Sequence, residues 1–366
     1  FFYNFKNLFF KKINKNNENL GKDFDKIKEF EKFGIKIGEP LGKGAFGLVT
    51  DVHYNDDTYA GKLVKKEGKG SECDLILQFK SPYIVKIIKI FNIESGIYNF
   101  ILMEKADLKD LSSFIENSRN NQIQNLIINP FYDGIVSDNC FKYFTKHLII
   151  GLESLERIGY SHFDIKPGNI LIFKNYILKL SDFSFLRNRN DIIKKNNMLQ
   201  IPGGTNGYCP PEYYLNQDVT IENAKKHDYF SLGSTLFSLK YGERLFKLPK
   251  IQILYLQSKK NKEIEIIEYI LEMLKRQINF IKSNTLSDKD FINFLCGLIQ
   301  FNPEDRPKFE EMYRNKWLNK NSKEIEIIFN INNINKIDNT KLILELNKSD
   351  YLIDKKKNLN HNRKKF

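Results

Sequence analysis

Asp164, Lys166 and Asn169 place three charged or polar side chains on one short loop. They lie within Tyr160 to Ile172, which reads Tyr-Ser-His-Phe-Asp-Ile-Lys-Pro-Gly-Asn-Ile-Leu-Ile. A second acid, Asp182, arrives 13 residues after Asn169, in Asp182-Phe183-Ser184. That spacing suits a hairpin bringing Asn169 and Asp182 together as oxygen ligands for a hard cation. Mg²⁺ is such a cation, since it keeps few protein ligands and borrows the rest from phosphates.

A second group of residues could meet phosphates from another direction. Leu41-Gly42-Lys43-Gly44-Ala45-Phe46-Gly47-Leu48-Val49 is a glycine-rich turn. Without side chains there, backbone N–H groups can approach phosphate oxygens. A strand pattern, Leu48 to Tyr54, follows the glycines, whereas a dinucleotide-binding turn would open a helix. Lys62 lies 13 residues after Val49, a hairpin's length, on a strand reading Thr58 to Val64. A buried Lys needs an acidic partner, and Glu72, on a short helix expected over 70–80, is the candidate.

The elements that must position these residues change character along the chain. Residues 33–64 alternate like strands, with Asn55-Asp56-Asp57 as a turn signal. Ser81 to Val85 restarts a strand, and Tyr98 to Glu104 makes another. A polar stretch, Lys105 to Asp110, then leads into helical periodicity over Leu108–Ile115, Phe141–Ile158, Asp228–Leu239, Glu263–Ile281 and Asp288–Ile299. Ile177 to Leu180 reads as a short strand.

The 366 residues are enough for a two-lobed unit with a sizeable core. The net charge of +13 is concentrated in the flanks: residues 1–32 carry a net +3 and 319–366 a net +5. Such flanks are more often solvated tails than binding surfaces, so no nucleic-acid partner is expected. The runs Lys355-Lys356-Lys357 and Arg363-Lys364-Lys365 leave anionic membrane or nuclear import as minor alternatives. The aromatic-basic start is read as a helix packing on the domain in preference to one lying on a membrane surface. The four cysteines (Cys73, Cys140, Cys209, Cys296) are dispersed, which fits reduced thiols in the cytoplasm or nucleus. The chain does not begin with Met, so an upstream targeting segment is compatible with it. Oligomeric state has no sequence signal.

In this order and spacing the motifs resemble the eukaryotic protein-kinase family, serine/threonine type, over residues 33–318. The resemblance implies an α+β, bilobal protein-kinase fold. A β-rich N-lobe (33–104) would precede a larger, mainly helical C-lobe (107–318), with flanks at 1–32 and 319–366. It implies ATP and Mg²⁺ as cofactors and proteins as substrates. Gly42, Gly44 and Gly47, after Leu41, would cover the ATP phosphates, with Val49 against the adenine. Lys62, within Tyr59-Ala60-Gly61-Lys62, would hold the α/β-phosphates, anchored by Glu72. Met103 would be the gatekeeper, Glu104 to Ala106 the hinge whose backbone binds adenine, and Leu171 the adenine floor. Asp164 would orient the substrate hydroxyl and accept its proton, Lys166 would stabilise the transferred phosphoryl group, and Asn169 and Asp182 would bind Mg²⁺. Glu212 with Arg306, and Asp228, would be structural. His162 and Phe183 would belong to the apolar spine with Ile76 and Ile87. Lys166 and Thr205 favour Ser/Thr over Tyr substrates.

Three departures from the family's pattern stand out. Phe163 replaces the Arg that commonly pairs with an activation-loop phosphate. The loop from Phe185 to Gly204 contains no Ser, Thr or Tyr, so no phosphorylation in mid-loop is expected; Ser184 and Thr205 flank the gap. Ser184 replaces a Gly, which restricts φ > 0 conformations, and Gly61 is expected to enlarge the pocket beside Lys62. These departures keep an ATP-binding scaffold without phosphotransfer as the alternative. A small-molecule or lipid kinase is disfavoured by Pro210-Pro211-Glu212 and Thr205. Extra length at 117–139 and 248–265 reads as surface loops.

Overall fold

Asn55 and Asp56 tolerate left-handed backbone better than most residues, and both adopt it, at φ 49° and 64°. They turn the tight hairpin between β2 (Leu48–Tyr54) and β3 (Asp57–Lys65). A computed structural model describes residues 30–43, 48–65, 81–93, 98–125, 136, 138–189, 198–199, 201–215, 219–246, 263–284 and 287–320. The chain divides into two units, one formed by 1–80 and 84–107, the other by 81–83 and 108–366. The expected helix over 70–80 with Glu72, Gly44 and Gly47, the stretch 248–262 and the flanks 1–29 and 321–366 lie outside the described residues.

The first unit is an antiparallel sheet of 5 strands, ordered β1-β2-β3-β5-β4. β1 is Lys36–Lys43, β4 Ile87–Ile93 and β5 Tyr98–Met103. Its register separates two faces, because side chains alternate along a strand. Val49 stands opposite Lys62, Lys62 opposite Ile101, and Ala60 opposite Met103, so these side chains share one face. The other face carries the core: Val52, Phe91, Phe100 and Leu102, joined by Phe30, Ile35 and Ile93.

Two strand readings are corrected here. The strand expected from residue 33 begins at Lys36, because residues 30–32 form a helical turn. Gly34, at φ 71°, closes that turn: its N–H reaches Glu31 O, and Ile35 N–H reaches Phe30 O. This double cap carries its usual apolar contact, Phe30 with Ile35, into the core. Ser81 to Val85 is not a strand either. Pro82, without an N–H, sits in a turn, and Ile84 forms only a bridge before β4.

The second unit is mainly helical. Among the described residues its α-helices are α1 (Leu111–Asn125), α2 (Asp138–Arg157), α3 (Pro211–Tyr214), α4 (Ile221–Tyr241), α5 (Glu263–Ser283), α6 (Lys289–Leu298), α7 (Phe309–Arg314) and α8 (Lys316–Asn319). Short strands pair as β6 (Tyr160–Ser161) with β9 (Arg187–Asn188), β7 (Ile170–Ile172) with β8 (Leu178–Leu180), and β10 (Met198–Leu199) with β11 (Val219–Thr220). α1 starts three residues later than the periodicity implies. Leu108 N–H bonds Ile172 O and Ile172 N–H bonds Lys109 O, while Asp110 caps the helix by accepting Ser113 N–H at 2.9 Å. α1 then runs into the polar stretch read as a loop. α4 begins at Ile221, capped by Thr220, and ends at Gly242, φ 72°. It is buried on nearly every side from Ala224 to Leu239, so no amphipathic period marks its first turns.

The base of this unit closes around Trp317, which is fully buried. Its indole N–H donates to Asp138 Oδ1 at 2.8 Å, and Phe141 and Phe291 pack against its ring. Among the described residues no helix is long and apolar enough to cross a membrane. Cys140, Cys209 and Cys296 are buried.

Candidate active site

In the first unit, Lys62 and Ala60 are buried, and Val49 and Met103 are half-buried on the same sheet face. Gly42 stands opposite Val49, and a side chain on it would meet no atom within 4 Å. Leu41 is exposed. Glu104 is held by both ends: its N–H donates to Lys86 O at 3.0 Å, and its Oε1 accepts Lys86 N–H at 2.7 Å. Ala106 follows, half-buried. Gly61 does not enlarge the space beside Lys62. It lies on the opposite sheet face, where an added Cβ would stand 2.3 Å from Phe100 Cζ and 2.6 Å from Val52 Cγ2. The missing side chain is replaced by Phe100, whose ring meets Phe30 edge-on at 4.8 Å.

In the second unit Lys166, Asn169 and Thr205 form one network around Asp164, itself 3% exposed. Lys166 Nζ donates to Asp164 Oδ2 at 2.7 Å and to Thr205 Oγ1 at 2.6 Å. Thr205 Oγ1 donates in turn to Asp164 Oδ1 at 2.6 Å. Asn169 Nδ2 donates to Asp164 Oδ2 at 2.8 Å and to Asp164 O at 2.9 Å. Both amide hydrogens are thereby used, which leaves Asn169 Oδ1 as the oxygen for a cation.

The β7–β8 hairpin does the joining the spacing implied. Ile170 pairs with Leu180, and Ser181 N–H and Oγ both donate to Asn169 O at 2.9 Å. Asp182 is the next residue, at φ 58°. Its Oδ1 accepts the Ser184 hydroxyl at 2.6 Å. The left-handed backbone in this turn therefore falls on Asp182, and Ser184 is not at positive φ. Asn169 and Asp182 offer hard oxygen donors, the chemistry Mg²⁺ selects.

The loop is anchored from beneath. Asp228, on α4, accepts His162 N–H at 2.7 Å and Phe163 N–H at 2.8 Å with separate oxygens. His162 Nδ1 accepts Asp164 N–H at 3.3 Å while its Nε2 contacts Ser181 O at 3.0 Å, a pair that requires the proton on Nε2. Its ring packs on Phe183 at 5.4 Å. Arg306 grips Glu212 with Nη1 at 2.7 Å and Nη2 at 2.8 Å, the pair buried and geometrically bidentate. Leu171 is half-buried and bridges to Asp110.

Two contributors carry little sequence signal. Ser181 is marked only by its place before Asp182, yet it ties together Asn169, His162 and the start of the Asp182 turn. Cys209 donates to Thr205 O at 3.2 Å. Burial, with Asp164 nearby, pushes its thiol pKa up, so it stays neutral beside the carboxylate.

The family profile described as a protein kinase domain matches residues 35–318. The chain belongs to the protein kinase family. This kinase domain is 25% identical over 311 residues to the serine/threonine-protein kinase atg1 of Schizosaccharomyces pombe, covering 76% of this chain and 35% of that protein. It is 28% identical over 307 residues to the serine/threonine-protein kinase cds1 of the same yeast, covering 78% and 59%. It is 25% identical over 305 residues to human Rho-associated protein kinase 1, covering 78% and 20%. The chain thus spans less than two thirds of each of these relatives.

Proposed function

We propose that this kinase domain is active and transfers the γ-phosphate of Mg·ATP to serine and threonine hydroxyls of proteins. The observation that carries this reading is the closed network of Asp164, Lys166, Asn169 and Thr205. Asp164 is an acceptor-only group when ionised, and its two oxygens are held by three donors in one orientation. A substrate hydroxyl meeting it is oriented and loses its proton to it. Lys166 supplies positive charge where the transferred group builds negative charge. Asn169 and Asp182 would hold Mg²⁺, which neutralises phosphate charge when bound. Lys62 would take the α/β-phosphates, with Val49, Ala60 and Met103 on its sheet face towards adenine. The names of the relatives and the presence of Lys166 and Thr205 support Ser/Thr substrates. The hydroxyl-free stretch 185–204 supports activity without phosphorylation there.

The test is transfer of labelled γ-phosphate to a generic Ser/Thr protein by the wild-type chain, Asp164→Asn and Lys62→Met. Transfer by wild type and loss of at least about 100-fold in both variants are expected. Wild-type ATP binding without transfer on several substrates would make the domain a scaffold instead.

A further inference from the structure

Phe163 is the residue immediately before Asp164, and it is fully buried. Its φ is 62°, a conformation a bulky residue adopts only when its surroundings hold it there. Asp228 holds its N–H, and its ring meets the edge of His227 at 5.1 Å. The ring belongs to a small apolar cluster with Val219 and Ala224, onto which Phe185 and Ile201 pack. These last two bracket the stretch 185–204, one at its start and one near its end.

The start and end also touch each other. A Cβ on Gly203 would fall 2.1 Å from Phe185 Cε1, so the Phe185 ring lies directly on the Gly203 backbone. A little further on, Thr205 gives its hydroxyl to Asp164 Oδ1 and receives Lys166 Nζ. Packing at Phe163 is therefore continuous with the hydrogen bonds that orient Asp164. No side chain in the cluster of Phe163, Phe185, Ile201, Val219 and Ala224 carries charge.

We propose that Phe163 is a positioning residue: its ring clasps Phe185 and Ile201, pinning both ends of the 185–204 stretch so that Thr205 is set against Asp164 by apolar packing. This rests on the kinase reading above. The blander view is that Phe163 merely fills a core. The two differ in what its loss does. A core residue lowers stability alone, whereas a clasp also loosens Thr205 and the described ends, 185–189 and 201–204, while the fold persists. The ATP-facing residues of the first unit are not part of the cluster, so ATP affinity is expected to survive.

The experiment compares the full chain with Phe163→Ala, Phe163→Leu and Phe163→Arg. Phe294→Ala, a buried position in α6 away from the cluster, is the matched core control. Steady-state transfer gives kcat and the KM for ATP, and brief trypsin treatment gives the cleavage rate after Arg187, half-buried in β9. The clasp predicts that Phe163→Ala loses about 100-fold in kcat, as displaced catalytic groups do, with the ATP KM within about twofold of wild type. Phe163→Leu recovers most of kcat, and Phe163→Arg does not. Cleavage after Arg187 rises about tenfold in Phe163→Ala over Phe294→Ala, as the open population grows. Equal kcat and equal cleavage in Phe163→Ala and Phe294→Ala would overturn the clasp while leaving the kinase reading intact. So would Phe163→Arg matching wild type. If wild type itself transfers no phosphate, the kinase reading fails, and the cleavage comparison alone decides the clasp.

Discussion

At the scale of single residues, Ser184 acts through a neighbour: its hydroxyl holds one oxygen of the Asp182 carboxylate, proposed above to hold Mg²⁺, at 2.6 Å. Partners that orient a ligating group tune metal affinity, typically by 10- to 100-fold when removed, so about tenfold is the expected size here. Ser184→Ala should raise the Mg²⁺ concentration for half-maximal ATP binding by that factor, and Ser184→Thr should not. A titration of nucleotide fluorescence against Mg²⁺ checks this; equal midpoints for Ala and Thr would show the bond to be incidental. Gly61 lends itself to a second residue-level test. Adding a β-branched side chain drives it into Phe100, and overpacking of this kind costs about 1–3 kcal/mol. Gly61→Val should lower the melting temperature, and Gly61→Val with Phe100→Leu should recover part of the loss.

At the scale of elements, His147 on α2 fastens that helix to β8. Its Nδ1 accepts Leu178 N–H at 3.2 Å, and its ring stacks on Tyr83 at 4.6 Å. Burial lowers its pKa from 6.5 to about 3. Between those values the unfolded chain binds a proton that the folded chain does not, so stability falls as pH drops below about 6.5 and goes on falling to about 3. The loss between pH 7 and pH 5 is about 2 kcal/mol. His147→Gln should be less stable at pH 7 yet lose less on acidification, which thermal melts at the two pH values would measure. A parallel slope in both proteins would mean that other groups carry the acid sensitivity. Elements with a one-sided environment were among the legible ones, as for β2, α2, α5 and α6, while β5, buried along its middle, was legible as a short apolar run between polar stretches. α4 was legible only in part because it is buried all round, and α1 because Asn and Gln at its end read as a loop. The turn at Ser81 to Tyr83 shows the converse, since Ile84 and Val85 are buried without belonging to a strand. The grouping of Lys166 and Asn169 on Asp164 was readable where motif order marks it, as was the hairpin that leads to Asp182. Ser181 was not, because its role comes from the register of a hairpin and a backbone carbonyl, which residue types do not encode. The side to which Gly61 points was likewise a question of strand register.

At the scale of the molecule, the described core reaches ahead of the family match at residue 35. Phe30 is 2% exposed, in the core of the first unit, and its helical turn caps the way into β1. Phe30→Ala should cost about 3–5 kcal/mol, the range for removing a buried aromatic ring. Chemical denaturation monitored by far-ultraviolet circular dichroism reads that loss; a change under about 1 kcal/mol would place Phe30 outside the cooperative core.

Asp228 grasps two consecutive amides, those of His162 and Phe163, from a position 66 and 65 residues away in the chain. Both bonds are short and made to a carboxylate, which is the condition for strong deshielding of an amide proton. Those two protons should therefore resonate well downfield of the crowded amide region and exchange slowly with solvent. They amount to an intrinsic spectroscopic beacon: the integrity of the loop bearing Asp164 could be followed, residue by residue, without nucleotide, substrate or label.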